Sequence, residues 1–294
     1  MSGIPKEFLP SAVHIARRLF ALPEEQYPDK FNVMRHFRDN IKDWDKTALY
    51  YGDERITFTE LIKNTNKLAN ALKGLGIEQY DRVMLRMPNC PEYIYSYYAC
   101  WTIGAIPVLV PNLLREEEIV HRANDSEAKA FIVGSTVWLD IEESVPHFKT
   151  VGKITVVGEP KKGYLFYADL ISDQSDECEP VDVDRYATVL LIYSSGTTGA
   201  PKGIIRENAT MMELNTVKTA PDEEVFPYIV EADVCGAAGS LGYGMGSGLP
   251  LAQLSRHCAL SLTERPTAEE MFEAIEQHKI SYLKNVPTFY KMML

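Results

Sequence analysis

Short apolar runs alternate along this chain with amphipathic stretches of helical period, and that alternation constrains the fold more than any other feature. Ala48–Tyr51 and Arg55–Thr57, joined through Gly52-Asp53, predict a β-hairpin. Thr57 and Glu60 then form a capping box, a hydroxyl and a carboxylate that satisfy orphan donors at a helix start. Leu61, Leu68, Ala69 and Leu72, with Thr65 in the same stripe, follow at helical spacing until Gly74 and Gly76 end the run. Arg82–Met87 predicts a strand, Asn89-Cys90-Pro91 a helix start, and Ala105–Val110 a second strand. Leu114–Ala123 reads as a helix, Ala130–Val133 and Lys153–Val157 as strands, Tyr167–Ile171 as a short helix, and Thr188–Tyr193 as a strand. Near the end Cys258–Leu262 is a strand. Thr267 and Glu270 form another capping box, opening a helix with Met271, Phe272 and Ile275 inward, and Ile280–Leu283 is again a strand. Strands separated by helices give an α/β fold of mostly parallel sheets with helices on both faces and ligands at the carboxyl ends of strands.

Composition removes several function classes. The 294 residues allow about two domains. Thirty Lys+Arg against 41 Asp+Glu give a net charge of −11, which argues against nucleic acid or an anionic membrane as main partner. Nucleotides stay open, because a nest of backbone N–H groups binds phosphate whatever the global charge. The five scattered cysteines, an odd number without C-x-x-C, suit neither a disulfide framework nor a zinc site. With no signal peptide in MSGIPKEF, a cytoplasmic home is expected. Tyr93–Leu114 runs 22 residues without a charge, long enough for a membrane span. Gly104, Pro107 and Pro111 interrupt it, so a buried helix followed by a buried strand is expected instead. The acidic stretch Ser172–Asp184 is expected to be a solvated connection. His14, His36, His121 and His278 are expected at the surface, and His147 and His257 in structural roles.

The chemistry concentrates directly after the strand Thr188–Tyr193, in Ser194-Ser-Gly-Thr-Thr-Gly-Ala-Pro-Lys-Gly203. Gly196, Gly199 and Gly203 permit positive φ and close backbone approach. Ser194, Ser195, Thr197 and Thr198 add four hydroxyls, Pro201 stiffens the exit, and Lys202 supplies a mobile positive charge. Such a loop suits a polyphosphate. The spacing fits neither Walker A, since Pro201 stands where Gly would be needed, nor a dinucleotide G-x-G-x-x-G, a G-x-S-x-G elbow or H-E-x-x-H.

Tyr193–Gly203 resembles the signature loop of the AMP-forming acyl-CoA synthetases and related acyl-adenylating enzymes. The resemblance runs from about Phe31 to Leu294 and includes Thr57-Phe-Thr-Glu60-Leu, Gly104-Ala-Ile-Pro-Val108, Glu264-Arg-Pro-Thr267 and Asn285-Val-Pro-Thr-Phe-Tyr290. Tyr243-Gly-Met-Gly246 and Leu262–Thr267 look most like ligases for benzoate and aminobenzoate, with medium-chain acyl-CoA synthetases next. The resemblance implies the amino-terminal α/β domain of this family, truncated before the carboxy-terminal lid, the family chain being about twice this long. It implies a two-step reaction: a carboxylate attacks the α-phosphate of ATP, and coenzyme A then displaces AMP. Ser194, Ser195, Gly196, Thr197, Thr198, Gly199 and Lys202 are the expected phosphate cradle, with Lys202 the catalytic cation and Thr198 the candidate contact to Mg²⁺. Leu241, Gly242, Tyr243 and Gly244 lie where the family lines its acyl pocket.

Two departures stand out: Leu241 replaces an aromatic gate, and Asn208, after Arg206-Glu207, replaces a His. Arg206 is either anion-facing or solvated. The domain reading is an extension over 1–30, a discontinuous subdomain over 31–75 and 220–294, and a second subdomain over 76–219 ending in the phosphate loop. On its own the chain is expected to be inactive, and self-association through a face left open is expected. A non-catalytic binding half and an adenylating enzyme with a non-CoA acceptor remain the alternatives.

Overall fold

A computed structural model describes residues 28–194, 201–216, 233–237, 239–243, 254–264, 267–283 and 287–294. Strand β1 (Lys30–Phe31) leads into helix α1 (Val33–Asp39), whose first turn is capped by the Asn32 side chain. The predicted hairpin is β2 (Thr47–Tyr51) and β3 (Glu54–Thr57), antiparallel across Gly52 at φ +55°. Helix α2 (Phe58–Gly74) starts on the predicted capping box: Thr57 Oγ1 accepts from Glu60 N at 3.2 Å, and Thr57 N donates to the Glu60 carboxylate at 2.8 Å.

The predicted uncharged stretch divides as expected into helix α3 (Pro91–Thr102) and strand β5 (Ile106–Leu109), which follow β4 (Arg82–Arg86). Among the described residues no helix is long and apolar enough to cross a membrane. Helix α4 (Glu116–Asp125), strand β6 (Ala130–Gly134), helix α5 (Leu139–Glu142), strands β7 (Lys153–Val157) and β8 (Leu165–Phe166) and helix α6 (Tyr167–Ser172) come next. After β9 (Val183–Asp184) come β10 (Thr188–Tyr193), β11 (Gly203–Glu207) and α7 (Asn208–Thr216). The described remainder holds β12 (Val234–Ala237), β13 (Ala259–Leu262), α8 (Ala268–His278), β14 (Tyr282–Leu283) and α9 (Pro287–Met293).

These strands form two main sheets. A seven-stranded sheet runs β11-β10-β5-β4-β6-β7-β8, parallel except for the β10–β11 pair, and a five-stranded sheet runs β14-β12-β13-β2-β3, parallel except for its hairpin. The α/β reading with mostly parallel sheets therefore holds. The central strand β4 is buried along Val83–Arg86, which explains its run of apolar residues, and its two arginines serve neighbouring loops. Arg86 donates to the carbonyls of Val137, Asn112 and Leu114, whereas Arg82 reaches Ser126 and Glu127.

Several expectations need correction. The acidic stretch Ser172–Asp184 is a largely exposed connection, as expected, but its backbone is strapped down. Asn66 and Asn70 on α2 donate to its carbonyls at Asp176, Ser175 and Glu177, Arg35 on α1 pairs with Glu179 and Asp182, and β9 pairs with β1. Polar side chains on both helices satisfy backbone groups that composition alone assigns to water. His278 is buried: its ring stacks on Tyr50 with centroids 4.9 Å apart and lies 2.8 Å from Ser261 Oγ and 2.9 Å from the Gly52 carbonyl. On α8 Met271 is buried and Ile275 packs partly buried against it, as expected, with Ala274 and His278 on the same face, while Phe272 is exposed because a 3.6-residue period turns it away from 271, 274 and 278. His257 is buried against Phe58, as its structural reading requires, and His147 sits at the surface near Glu116. All five cysteines are buried, and none is in a disulfide.

Candidate functional site

The signature loop leaves β10 and returns as β11, an antiparallel strand that no sequence signal announced. Tyr193 pairs with Gly203, Ser194 N donates to the Lys202 carbonyl at 3.0 Å, and Lys202 N donates to Ser194 Oγ at 3.2 Å. Ser194 and Lys202, two of the predicted cradle residues, thus stand side by side at the neck of a hairpin. Lys202 is exposed. Ser195, Gly196, Thr197, Thr198 and Gly199, with the Mg²⁺ candidate Thr198 among them, lie outside the described residues.

Helix α4 grips both ends of this hairpin. Tyr193 Oη donates to Asp125 Oδ2 at 2.7 Å, and the Arg122 guanidinium lies 5.4 Å from the centre of the Tyr193 ring. On the return side His121 Nε2 lies 3.0 Å from the Pro201 carbonyl, so that nitrogen carries the proton, and the imidazole meets the Tyr193 ring edge-on. His121 is therefore half-buried, against the surface position expected from its polar neighbours, because the Pro201 carbonyl and the Tyr193 ring lie against it. Burial, reinforced by the Asp125 carboxylate, pushes the Tyr193 phenol up and keeps it a neutral donor. Arg122 is only 3% exposed, and among the described residues its Nε and Nη1 have no hydrogen-bond partner. Burial pulls its pKa down, against the attraction of Glu118, Tyr193 and Tyr243.

The second half of the site is the turn that follows β12. Tyr243 N donates to the Ser240 carbonyl at 3.1 Å and Gly242 N lies 3.3 Å from Ser240 Oγ, bringing the predicted Leu241, Gly242 and Tyr243 into one turn. Gly244 lies outside the described residues. Leu241 is buried in the main core, whereas Tyr243 is 46% exposed. A Cβ on Gly242 would stand 2.9 Å from Pro111 Cα and 2.9 Å from the Val110 carbonyl oxygen. The turn thus rests on the backbone just beyond β5, the parallel neighbour of β10.

Asn89 fixes this turn, and sequence reasoning missed it. It sits between β4 and α3, 1% exposed. Its Nδ2 donates to the Gly239 carbonyl at 2.9 Å and its Oδ1 accepts from Leu241 N at 2.9 Å, with Ala237 O at 3.4 Å. One amide side chain therefore stitches the seven-stranded sheet to the turn of the five-stranded one. The sequence showed Asn89 only as part of a helix start, so its partners about 150 residues away left no local mark.

Asn208 departs from the expected pattern without reaching the site. It is fully buried, and its Nδ2 donates to the Phe31 carbonyl at 3.0 Å, tying α7 to β1. Arg206 is exposed, its solvated alternative. Among the described residues no group of three or more His, Cys, Asp or Glu stands ready to hold a metal ion.

Comparison with known proteins agrees with this fold. The chain is 31% identical over 259 residues to the acetyl-coenzyme A synthetase of Chlorobaculum tepidum, covering 81% of this chain and 39% of that protein. It is 26% identical over 271 residues to 4-coumarate–CoA ligase 2 of Solanum tuberosum, covering 90% and 49% respectively. An anthranilate CoA ligase solved with anthranoyl-AMP superposes with a TM-score of 0.83 at 27% identity, over 92% of this chain and 52% of that one. A benzoate CoA ligase from Burkholderia xenovorans shares the fold at a TM-score of 0.77 and 24% identity, over 90% and 52%. The chain spans about two-fifths to half the length of these relatives. Residues 37–294 match the AMP-binding enzyme family, and the chain belongs to that family.

Proposed function

We propose that the protein carrying this chain is an AMP-forming acid–thiol ligase, which activates a carboxylic acid with ATP and passes the acyl group to coenzyme A. The observation that carries this reading is the meeting of two segments at the carboxyl ends of β10 and β12. The neck Ser194–Lys202 and the turn Leu241–Tyr243 flank one region, with Gly242 seated on Val110–Pro111 next to β10. In this reading the loop 194–203 holds the β- and γ-phosphates and Lys202 neutralises the departing pyrophosphate. Leu241, Gly242, Tyr243 and Gly244 face the acid. Both reactants of the first step are anions, so these residues act by positioning and by charge compensation. Mg²⁺ would arrive on the phosphate oxygens and lower their charge, with Thr198 its candidate protein contact.

The aromatic wall offered by Tyr243 favours a benzoate-type acid over acetate. The similarity to an anthranilate CoA ligase supports the same choice. The test is acid-dependent exchange of labelled pyrophosphate into ATP, run over acetate, benzoate, anthranilate and 4-coumarate. Exchange is expected with an aromatic acid and is expected to fall steeply in Lys202→Ala. Exchange with no acid, or exchange untouched by Lys202→Ala, contradicts the reading.

A further inference from the structure

The end of β4 reaches beyond its own strand. Arg86, its last residue, is fully buried, and its guanidinium spans the segments that leave both parallel neighbours, β5 and β6. Nη2 donates to the Asn112 and Leu114 carbonyls at 2.8 and 3.2 Å, and Nη1 donates to the Val137 carbonyl at 3.2 Å. A planar fork with donors in fixed directions can bridge carbonyls on two loops, which the point charge of an ammonium does poorly. Asn112 adds a return tie, its Nδ2 donating to the Met87 carbonyl at 3.0 Å, and Val110 N donates to the Leu85 carbonyl at 3.0 Å. The segment 110–114 is thereby bonded to Leu85, Arg86 and Met87 in turn.

That segment is what the turn after β12 rests on. A Cβ on Gly242 would stand 2.9 Å from both Pro111 Cα and the Val110 carbonyl oxygen, so no slack separates the turn from the segment. Asn89, three residues beyond Arg86, bonds the same turn directly through Leu241 N and the Gly239 carbonyl. One strand end therefore holds the turn twice, directly through Asn89 and indirectly through the segment that Arg86 and Asn112 fix. A shift of the segment moves Gly242 with it. The neck of the phosphate loop has separate ties, from Tyr193 to Asp125 and from Pro201 to His121.

We propose that Arg86 and Asn112 are positioning residues for the acid: by pinning the segment 110–114 beneath Gly242 they set the depth of the acid pocket, and hence which acids fit. The assignment rests on the reading that the turn 241–243 faces the acid. Both residues act through Gly242 and not by touching a reactant.

The experiment uses the protein carrying this chain, in acid-dependent pyrophosphate exchange with acetate, benzoate, anthranilate and 4-coumarate. Arg86→Lys keeps the charge without the fork, and Asn112→Ala cuts the side-chain tie to Met87. Each is expected to raise the KM for the preferred acid about fivefold, the worth of one hydrogen bond, and to leave that for ATP within about twofold. A segment that can recede also admits acids of poorer fit, so the kcat/KM ratio between the preferred acid and the next is expected to fall about threefold or more. A purely structural role would move neither the KM split nor that ratio. Equal rises in both KM values, or an unchanged acid ratio, overturn the proposal. Asn112 is half-buried, so its variant decides the matter if Arg86→Lys does not fold. Loss of the fold in both makes them structural pillars and overturns the proposal as well. Gly242→Ala separates the two possible failures. A raised acid KM in Gly242→Ala, beside unchanged values in the other two, refutes the positioning role and leaves the turn facing the acid. An unchanged acid KM in Gly242→Ala removes that reading of the turn, and the proposal with it.

Discussion

Replacing Asn89 by Ala isolates the link between the two sheets. The substitution leaves Leu241 N–H and the Gly239 carbonyl without their partner in a place that is 1% exposed. Each orphaned backbone group costs about 1–3 kcal/mol, and the 3.4 Å contact to Ala237 adds little. The expected loss is about 2–6 kcal/mol, a large share of the ~5–15 kcal/mol that holds a domain of ordinary stability. Asn89→Asp separates the two halves of the clamp. Its carboxylate still accepts from Leu241 N–H but repels the Gly239 carbonyl, so burial raises its folded pKa above the unfolded value of about 4. A raised folded pKa means that the deficit is smallest below pH ~4 and grows as pH rises through the folded value. Urea midpoints at pH 4.5 and 7.5 read this directly, with the Asn89→Ala chain as the pH-independent control. A change below about 0.5 kcal/mol in Asn89→Ala, or a pH-independent Asn89→Asp, refutes the clamp.

Three further outcomes follow from the same geometry. Gly242→Ala places a methyl 2.9 Å from the backbone at Val110 and Pro111. It should raise the KM for the acid more than that for ATP, and equal effects on both would contradict the placement of the turn. His121→Ala removes the 3.0 Å contact to the Pro201 carbonyl and should raise the KM for ATP with little change in the acid's. Burial holds the His36 pKa below its ordinary value, with Asp39 opposing. The unfolded chain therefore takes up the proton first, and stability should fall as pH drops below about 6.5. His36→Gln should flatten that slope in urea midpoints between pH 7.5 and 5.5.

Local signals carried the elements well and the contacts between them poorly. The Thr57–Glu60 capping box, the hairpin at Gly52 and the burial of α3 and β5 all depend on residues within a few positions of each other, so the sequence displays them. The motif behind the proposed phosphate loop stands out for the same reason: its hydroxyls, glycines and Lys202 are contiguous. The return strand β11 was missed because Gly203–Glu207 is too short and too exposed to alternate visibly. Asn89, Arg122 and His121 were missed as site residues because their partners lie on other elements, 71 positions on for Arg122 and Tyr193. The acidic strap misled for the converse reason. Its charges face water, as composition suggests, but its backbone is bonded to asparagines on α2.

The most direct test of the central claim follows an oxygen atom. If the acid's carboxylate attacks the α-phosphate of ATP, acid labelled with ¹⁸O in both carboxyl positions delivers one labelled oxygen to AMP when coenzyme A takes the acyl group. The protein carrying this chain should therefore yield AMP with a single ¹⁸O, together with unlabelled pyrophosphate. Label appearing in inorganic phosphate, with ADP as the nucleotide product, would contradict the account.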